Sequence, residues 1–181
     1  VTEKPGRIRI VAKDGKLAEM RALLTAFGPP PYVGVTWRAG IDSLGWLFKA
    51  LAPQGLAEFL APVNARVVVL QRQPRDGEVA EFAAALGRSV LDLSHFNDDL
   101  EAMLALVALL NGQVAVSNTN IHLAAALGKT AHVLLPHPPE FRWMAAGEQS
   151  LWFPGFSLYR HDRAHGWTPA LQRLEYGLKA L

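Results

Sequence analysis

No cysteine occurs among the 181 residues. That excludes disulfides, thiolate metal sites and a cysteine nucleophile, so any chemistry falls to oxygen and nitrogen side chains. Long hydrophobic runs are also lacking. The longest, Ala102 to Leu110, is far short of the roughly 18 residues that a spanning helix needs. The N-terminal VTEKPGRIRI has no apolar signal core, so a soluble chain without a membrane span is expected, cytoplasmic by default. Charge of one sign is scarce too. With 18 basic and 16 acidic residues the formal net charge is +2, and a pI near 9.1 does not make so small an excess a basic field for nucleic acid. An initiator methionine is missing, as expected of a fragment or a processed chain.

What is present is globular: 50% of residues are apolar and 19% charged, enough to bury a core in one domain with a small appendage. Strand and helix signals alternate, which predicts an α/β, Rossmann-like αβα domain in three layers with a mostly parallel sheet of about six strands. Short buried strands are expected at Tyr32–Trp37, Val67–Leu70, Val90–Leu93, Val114–Val116 and His132–Leu135. Asn97 reads as a helix N-cap with acidic residues behind it, and that helix is expected to stop at Asn111-Gly112. Gly87 and Gly128 read as further helix stops, and short helices at Ser43–Leu51 and Gln54–Leu60 fill the first crossover. Residues 1–30 form a lead-in, with a strand at Arg7–Ala12 and a helix at Leu17–Phe27. Pro29 to Pro31 mark its boundary with the main domain, 31–181, which ends in an aromatic-rich tract, Phe141–Trp167, and a helix from Pro169.

Parallel strands end on one edge of their sheet, and ligands bind outside those carboxyl ends. The residues gathered there are Arg38-Ala39-Gly40, Gln71-Arg72-Gln73, Ser94-His95, Ser117 to Asn120, and His137-Pro138. Cations, amides and hydroxyls suit a phosphate or a sugar better than a metal. In VAVSNTNIHLAAALGK, Val114–Lys129, a strand runs into Ser117-Asn118-Thr119-Asn120 and then a helix. Free N–H groups at that helix start offer an anion site, and the same polar groups cap the helix when it is empty. His122, one turn in, has two open readings: a group reaching the ligand, or a ring packed on the neighbouring strand.

Two tempting motifs fail. Gly128-Lys129-Thr130 lacks the first glycine of a P-loop, and Gly34, Gly40 and Gly45 lack the dinucleotide spacing. His161 and His165 stand four apart, but Gly166 and Pro169 place them in a loop, so no metal is expected.

The stretch VSNTNIHLAAALG, Val116–Gly128, resembles the element after the fourth strand in the C-terminal domain of GT-B glycosyltransferases. It is most similar to that of the ADP-heptose:lipopolysaccharide heptosyltransferases and the bacterial TPR-linked transferases related to O-linked GlcNAc transferase. Leu134–Arg160 resembles the tail that follows it in the TPR-linked group, GVTWRAG (Gly34–Gly40) the first strand and turn, and LQRQP (Leu70–Pro74) the end of the second. The resemblance runs from Pro31 to Leu181. It implies the donor-binding half of an inverting glycosyltransferase, taking a UDP- or ADP-linked sugar as substrate with neither cofactor nor metal. The implied binding residues are Arg38, Gln71, Ser117, Asn118, Thr119, Asn120 and His122. Many members carry an acidic residue, which helps to hold the sugar, where this chain has Ser117.

No residue is assigned a catalytic role. The general base is expected in an N-terminal acceptor half, so the chain alone is expected to be inactive. The rival expectation is a non-catalytic binding or interaction module of the same fold, attached to a TPR or other partner domain.

Overall fold

Short runs rich in β-branched residues and buried on both faces suit a parallel sheet covered on both sides. The computed structural model, which describes residues 10–39 and 50–178, contains such a sheet. Its strands are β1 (Tyr32–Thr36), β2 (Arg66–Val69), β3 (Leu91–Asp92), β4 (Gly112–Val116), β5 (Ala131–Leu135) and β6 (Phe156–Arg160). All pair in parallel, in the order β3-β2-β1-β4-β5-β6. The direction of winding reverses between β1 and β4, and at such a switch point the loops diverge and leave a crevice.

Side-chain alternation along the strands divides the core in two. Val33, Val35, Val67, Val69, Val114 and Val116 face α2 (Pro53–Leu60), α3 (Glu78–Leu86) and α6 (Thr168–Leu178). Val68, Leu70, Ala115 and Val133 face α1 (Asp14–Phe27), α4 (Leu100–Leu109) and α5 (Thr119–Ala126). The lead-in helix starts earlier than Leu17 and lies against α4, with Met20 and Leu24 buried in that second core. Gly34 is needed where β1 passes this layer, because a Cβ there would stand 2.5 Å from Leu110 Cδ1 and 3.0 Å from Leu70 Cδ1.

Several boundaries differ from expectation. Residues 7–9 of the expected first strand lie outside the described residues, and Ile10–Ala12 are not strand; Ile10 N–H instead donates to Ala126 O at 3.1 Å. Residues 43–49 of an expected helix also lie outside. Ala50 and Leu51 are extended and bridge back to Arg38 and Trp37. Asn97 does not cap α4, because a 3-10 turn over Ser94–Asp98 absorbs it. The cap is Asp99, whose carboxylate accepts from Ala102 N–H at 3.0 Å and pairs with Lys16 of α1 at 2.9 Å. Those contacts hold the Asp99 carboxyl below its ordinary value, the backbone hydrogen bond first and Lys16 next.

No left-handed residue ends α4 at Asn111-Gly112. Leu110 turns extended, Asn111 Oδ1 accepts from Tyr32 N–H at 2.9 Å, and Gly112 already opens β4. Gly87 and Gly128, with φ of 73° and 71°, do terminate α3 and α5.

Candidate functional site

A cavity of about 310 Å3 opens over the carboxyl ends of β1, β2 and β4, at the switch point. Arg38 follows β1, Arg72 follows β2, and Ser117, Asn118, Thr119, Asn120 and His122 come from the β4–α5 junction; all line it. Asn97 of the turn before α4 and Leu100 and Met103 of α4 form one wall, and Glu140 and Arg142 close the side next to β5.

The start of α5 is capped by Asn118, whose Oδ1 accepts from Ile121 N–H at 3.1 Å. Its Nδ2 has no hydrogen-bond partner among the described residues, leaving a spare donor beside the positive end of the helix dipole. Asn120 is buried and donates to Asn97 Oδ1 at 3.1 Å; Asn97 in turn donates to Leu70 O at 3.2 Å and to Ser94 O at 2.7 Å. Thr36 Oγ1 donates to the same Leu70 carbonyl at 3.3 Å. Strand end, 3-10 turn and helix start are thereby tied into one rigid floor.

Gln71 stands behind the wall and does not line the cavity. Its Oε1 accepts from Trp37 and Arg38 N–H at 3.2 and 3.0 Å, and its Nε2 donates to Arg38 O and Arg72 O at 3.1 and 3.0 Å. It sets the backbone of the Arg38 turn. Arg38 is itself heavily engaged: Nη2 donates to Glu78 Oε2 at 2.9 Å and to Gln73 O at 3.2 Å. Burial alone raises the Glu78 carboxyl. Hydrogen bonds from Arg75 N–H, the Trp37 indole and Arg38 outweigh that and leave it below its ordinary value. Arg38 therefore reaches the cavity with much of its charge already balanced.

His122 lines the cavity, but its ring is not packed on the neighbouring strand. The ring packs on Trp143 and Phe153, with centroids 6.1 and 5.3 Å away. Its Nε2 lies 3.0 Å from Arg142 Nη1. Arginine only donates, so a hydrogen bond between the two requires Nε2 to accept. Of the other strand-end residues, His95 and His137 are exposed and line no part of this cavity. His161 and His165 lie at a turn after β6, where His165 meets Asp162 at 2.9 Å.

Sequence reasoning missed the β5 side of the site. Trp143 is fully buried, and its indole N–H donates to Ser117 Oγ at 2.9 Å. Ser117 Oγ donates to Glu140 Oε2 at 3.2 Å, and Arg142 Nε approaches the same oxygen to 2.9 Å. Arg160 of β6 staples this tract, donating to the carbonyls of Trp143, Met144, Ala146 and Gly147 at 2.7 to 3.0 Å. The signal was Glu140 and Arg142 set among Pro136–Trp143, just beyond the two post-strand residues considered.

No family model matches the chain, and no curated protein is similar to it in sequence. Among solved structures it is similar to the crystal structure of the glycosyl transferase family 9 protein from Veillonella parvula DSM 2008, with a TM-score of 0.58 and 9% identity. The match covers 84% of this chain and 42% of that one, so the chain spans less than half of that protein's length. At such identity the likeness is one of fold: a parallel Rossmann-like sheet shared with a glycosyltransferase.

Proposed function

We propose that the chain is the donor-binding half of a glycosyltransferase that takes a nucleoside-diphosphate sugar. The observation that carries this reading is the convergence on one switch-point cavity of the α5 N-terminus, the spare Asn118 amide and three arginines, Arg38, Arg72 and Arg142. A pyrophosphate is the ligand this arrangement suits. Helix N–H groups bind its oxygens, and Arg142 and Arg72, paired with Glu140 at 2.9 Å and with the exposed Asp98 at 3.5 Å, add charged donors. In inverting transfer the same groups stabilise the negative charge that grows on the departing diphosphate. His122 Nε2 is occupied by Arg142, so the general base and the acceptor are assigned to a second domain, of the N-terminal or TPR-linked kind. Residues 1–181 alone then bind without turning over, because reaction in such enzymes needs the cleft between two halves.

Calorimetry with UDP, ADP and GDP beside their monophosphates tests the reading. One diphosphate is expected to bind at least about tenfold more tightly than its monophosphate, as an added charged hydrogen bond implies. Equal affinities, or no binding by any of the three, remove the reading.

A further inference from the structure

Glu140 is the only carboxylate on the cavity wall among the described residues; everything else polar there donates hydrogen bonds or is neutral. It is held in place. Trp143 anchors the 3-10 turn Phe141–Trp143 in the core, Ser117 O–H donates to Oε2 at 3.2 Å, and Arg142 Nε stands 2.9 Å from the same oxygen. The side chain lines the cavity and is only 16% exposed. A carboxylate can only accept hydrogen bonds, and it repels an anion brought against it. The part of a ligand that lies against Glu140 is therefore a hydrogen-bond donor, while the anionic part lies on α5 and the arginines, of which Arg142 already balances Glu140 at 2.9 Å.

We infer that Glu140 is the specificity-determining residue of the cavity: its carboxylate accepts hydrogen bonds from the hydroxyls of a sugar joined to the pyrophosphate. It thereby favours the nucleotide sugar over the bare diphosphate. The inference rests on the donor-site reading. Ser117 then acts as a positioning residue. Its hydroxyl passes the fixed orientation of the Trp143 indole to the carboxylate, and a second acid at position 117 is unnecessary. The carboxylate is supplied from the β5 side of the crevice, 23 residues along the chain from the hydroxyl that orients it.

The test is the ratio of two affinities, measured by calorimetry for UDP against UDP-glucose and UDP-N-acetylglucosamine, and for ADP against ADP-glucose. The wild-type protein is expected to bind at least one sugar conjugate more tightly than its diphosphate. Glu140→Gln should reduce that preference about tenfold, as the loss of an ionised acceptor implies, with diphosphate affinity unchanged or raised. Ser117→Ala keeps the carboxylate and should reduce the preference in part. A thermal midpoint within a few degrees of wild type shows that each variant is folded, and Glu140→Met, which also removes the ionised acceptor, serves in its place if the glutamine variant is not. A purely structural role for Glu140 would lower both affinities together. A preference that does not move overturns the assignment, as does a wild-type protein that prefers none of these sugars to its diphosphate. Binding of no diphosphate at all defeats the donor-site reading itself, whereas diphosphate binding with an unmoved ratio defeats only the role of Glu140.

Discussion

Removing the Arg38 guanidinium should unfold the protein more readily before it says anything about ligands. Arg38 Nη2 lies 2.9 Å from Glu78 Oε2, and both side chains are only 9% exposed. An exposed pair of this kind is worth at most about 1 kcal/mol, but a buried one differs. Deleting one partner strands the other charge out of water, at about 3–5 kcal/mol. Glu78 keeps the Trp37 indole and Arg75 N–H, each at 2.9 Å, which places Arg38→Ala near the lower end. Three kcal/mol corresponds to a fall in Tm of about 6–12 °C for a chain of this size.

Urea titration with a thermal scan reads this directly. The double variant Arg38→Met/Glu78→Gln, which removes both charges, should recover most of the loss. The pH dependence supplies an independent sign. The folded Glu78 carboxyl lies below its ordinary 4.5, so its contribution is present above that pH and is lost as pH falls through the folded value. Without Arg38 the loss should begin at higher pH. A cost under about 1 kcal/mol, or a double variant as weak as the single, would refute the buried-pair argument. Arg38 would then be a cation free to serve a ligand. If the argument holds, Arg142→Ala is the better binding probe, because Arg142 is 38% exposed against 9% for Arg38, although its loss also unpairs Glu140.

Gly34→Ala should cost about 1–3 kcal/mol in urea titration, since Leu110 and Leu70 must both move off the new methyl group; a neutral substitution would show that layer to be loosely packed. His132 is mostly buried beside the Tyr159 hydroxyl, at 2.9 Å, and burial depresses its pKa from 6.5. The unfolded chain takes up the proton first, so stability should fall as pH drops from about 7 toward 5. His132→Gln should flatten that slope, and an identical slope would refute the assignment. Ser117→Asp would set a second carboxylate about 3 Å from Glu140, where like charges oppose joint ionisation. It is expected to lower stability without raising the preference for a nucleotide sugar; a raised preference would mean that position 117, not Glu140, faces the sugar.

The parallel sheet was legible because β1, β2, β4 and β5 are short valine-rich or leucine-rich runs, each followed by a polar turn. β6 was not. Phe156–Arg160 alternates residues in a tract dominated by aromatics, and its pairing is fixed by β5 and by the Arg160 staple, both set by tertiary contact. The cap of α4 was misread for a similar reason. Asn97 has the right side chain for an N-cap, yet its amide is drawn to Leu70 O and Ser94 O by a 3-10 turn that no local propensity announces. Asp99 is as good a cap, and Lys16 of α1 stands beside it.

The site was legible on the β4 side and opaque on the β5 side, and the difference is one of local structure. Ser117 to His122 follow β4 directly into α5, so a strand-to-helix junction alone brings them to the sheet edge. Glu140 lies five residues beyond β5, past Pro136, Pro138 and Pro139. Its place is set by tertiary contact: Trp143 is buried and donates to Ser117, which donates to Glu140. A serine at 117 therefore reads in isolation as a lost charge. Beside Glu140 it is a donor that a carboxylate needs, and an acid at both positions would be worse than an acid at either. Charge at this crevice is thus a property of the pair, Ser117 with Glu140, and substituting one without the other changes its sign balance rather than restoring it.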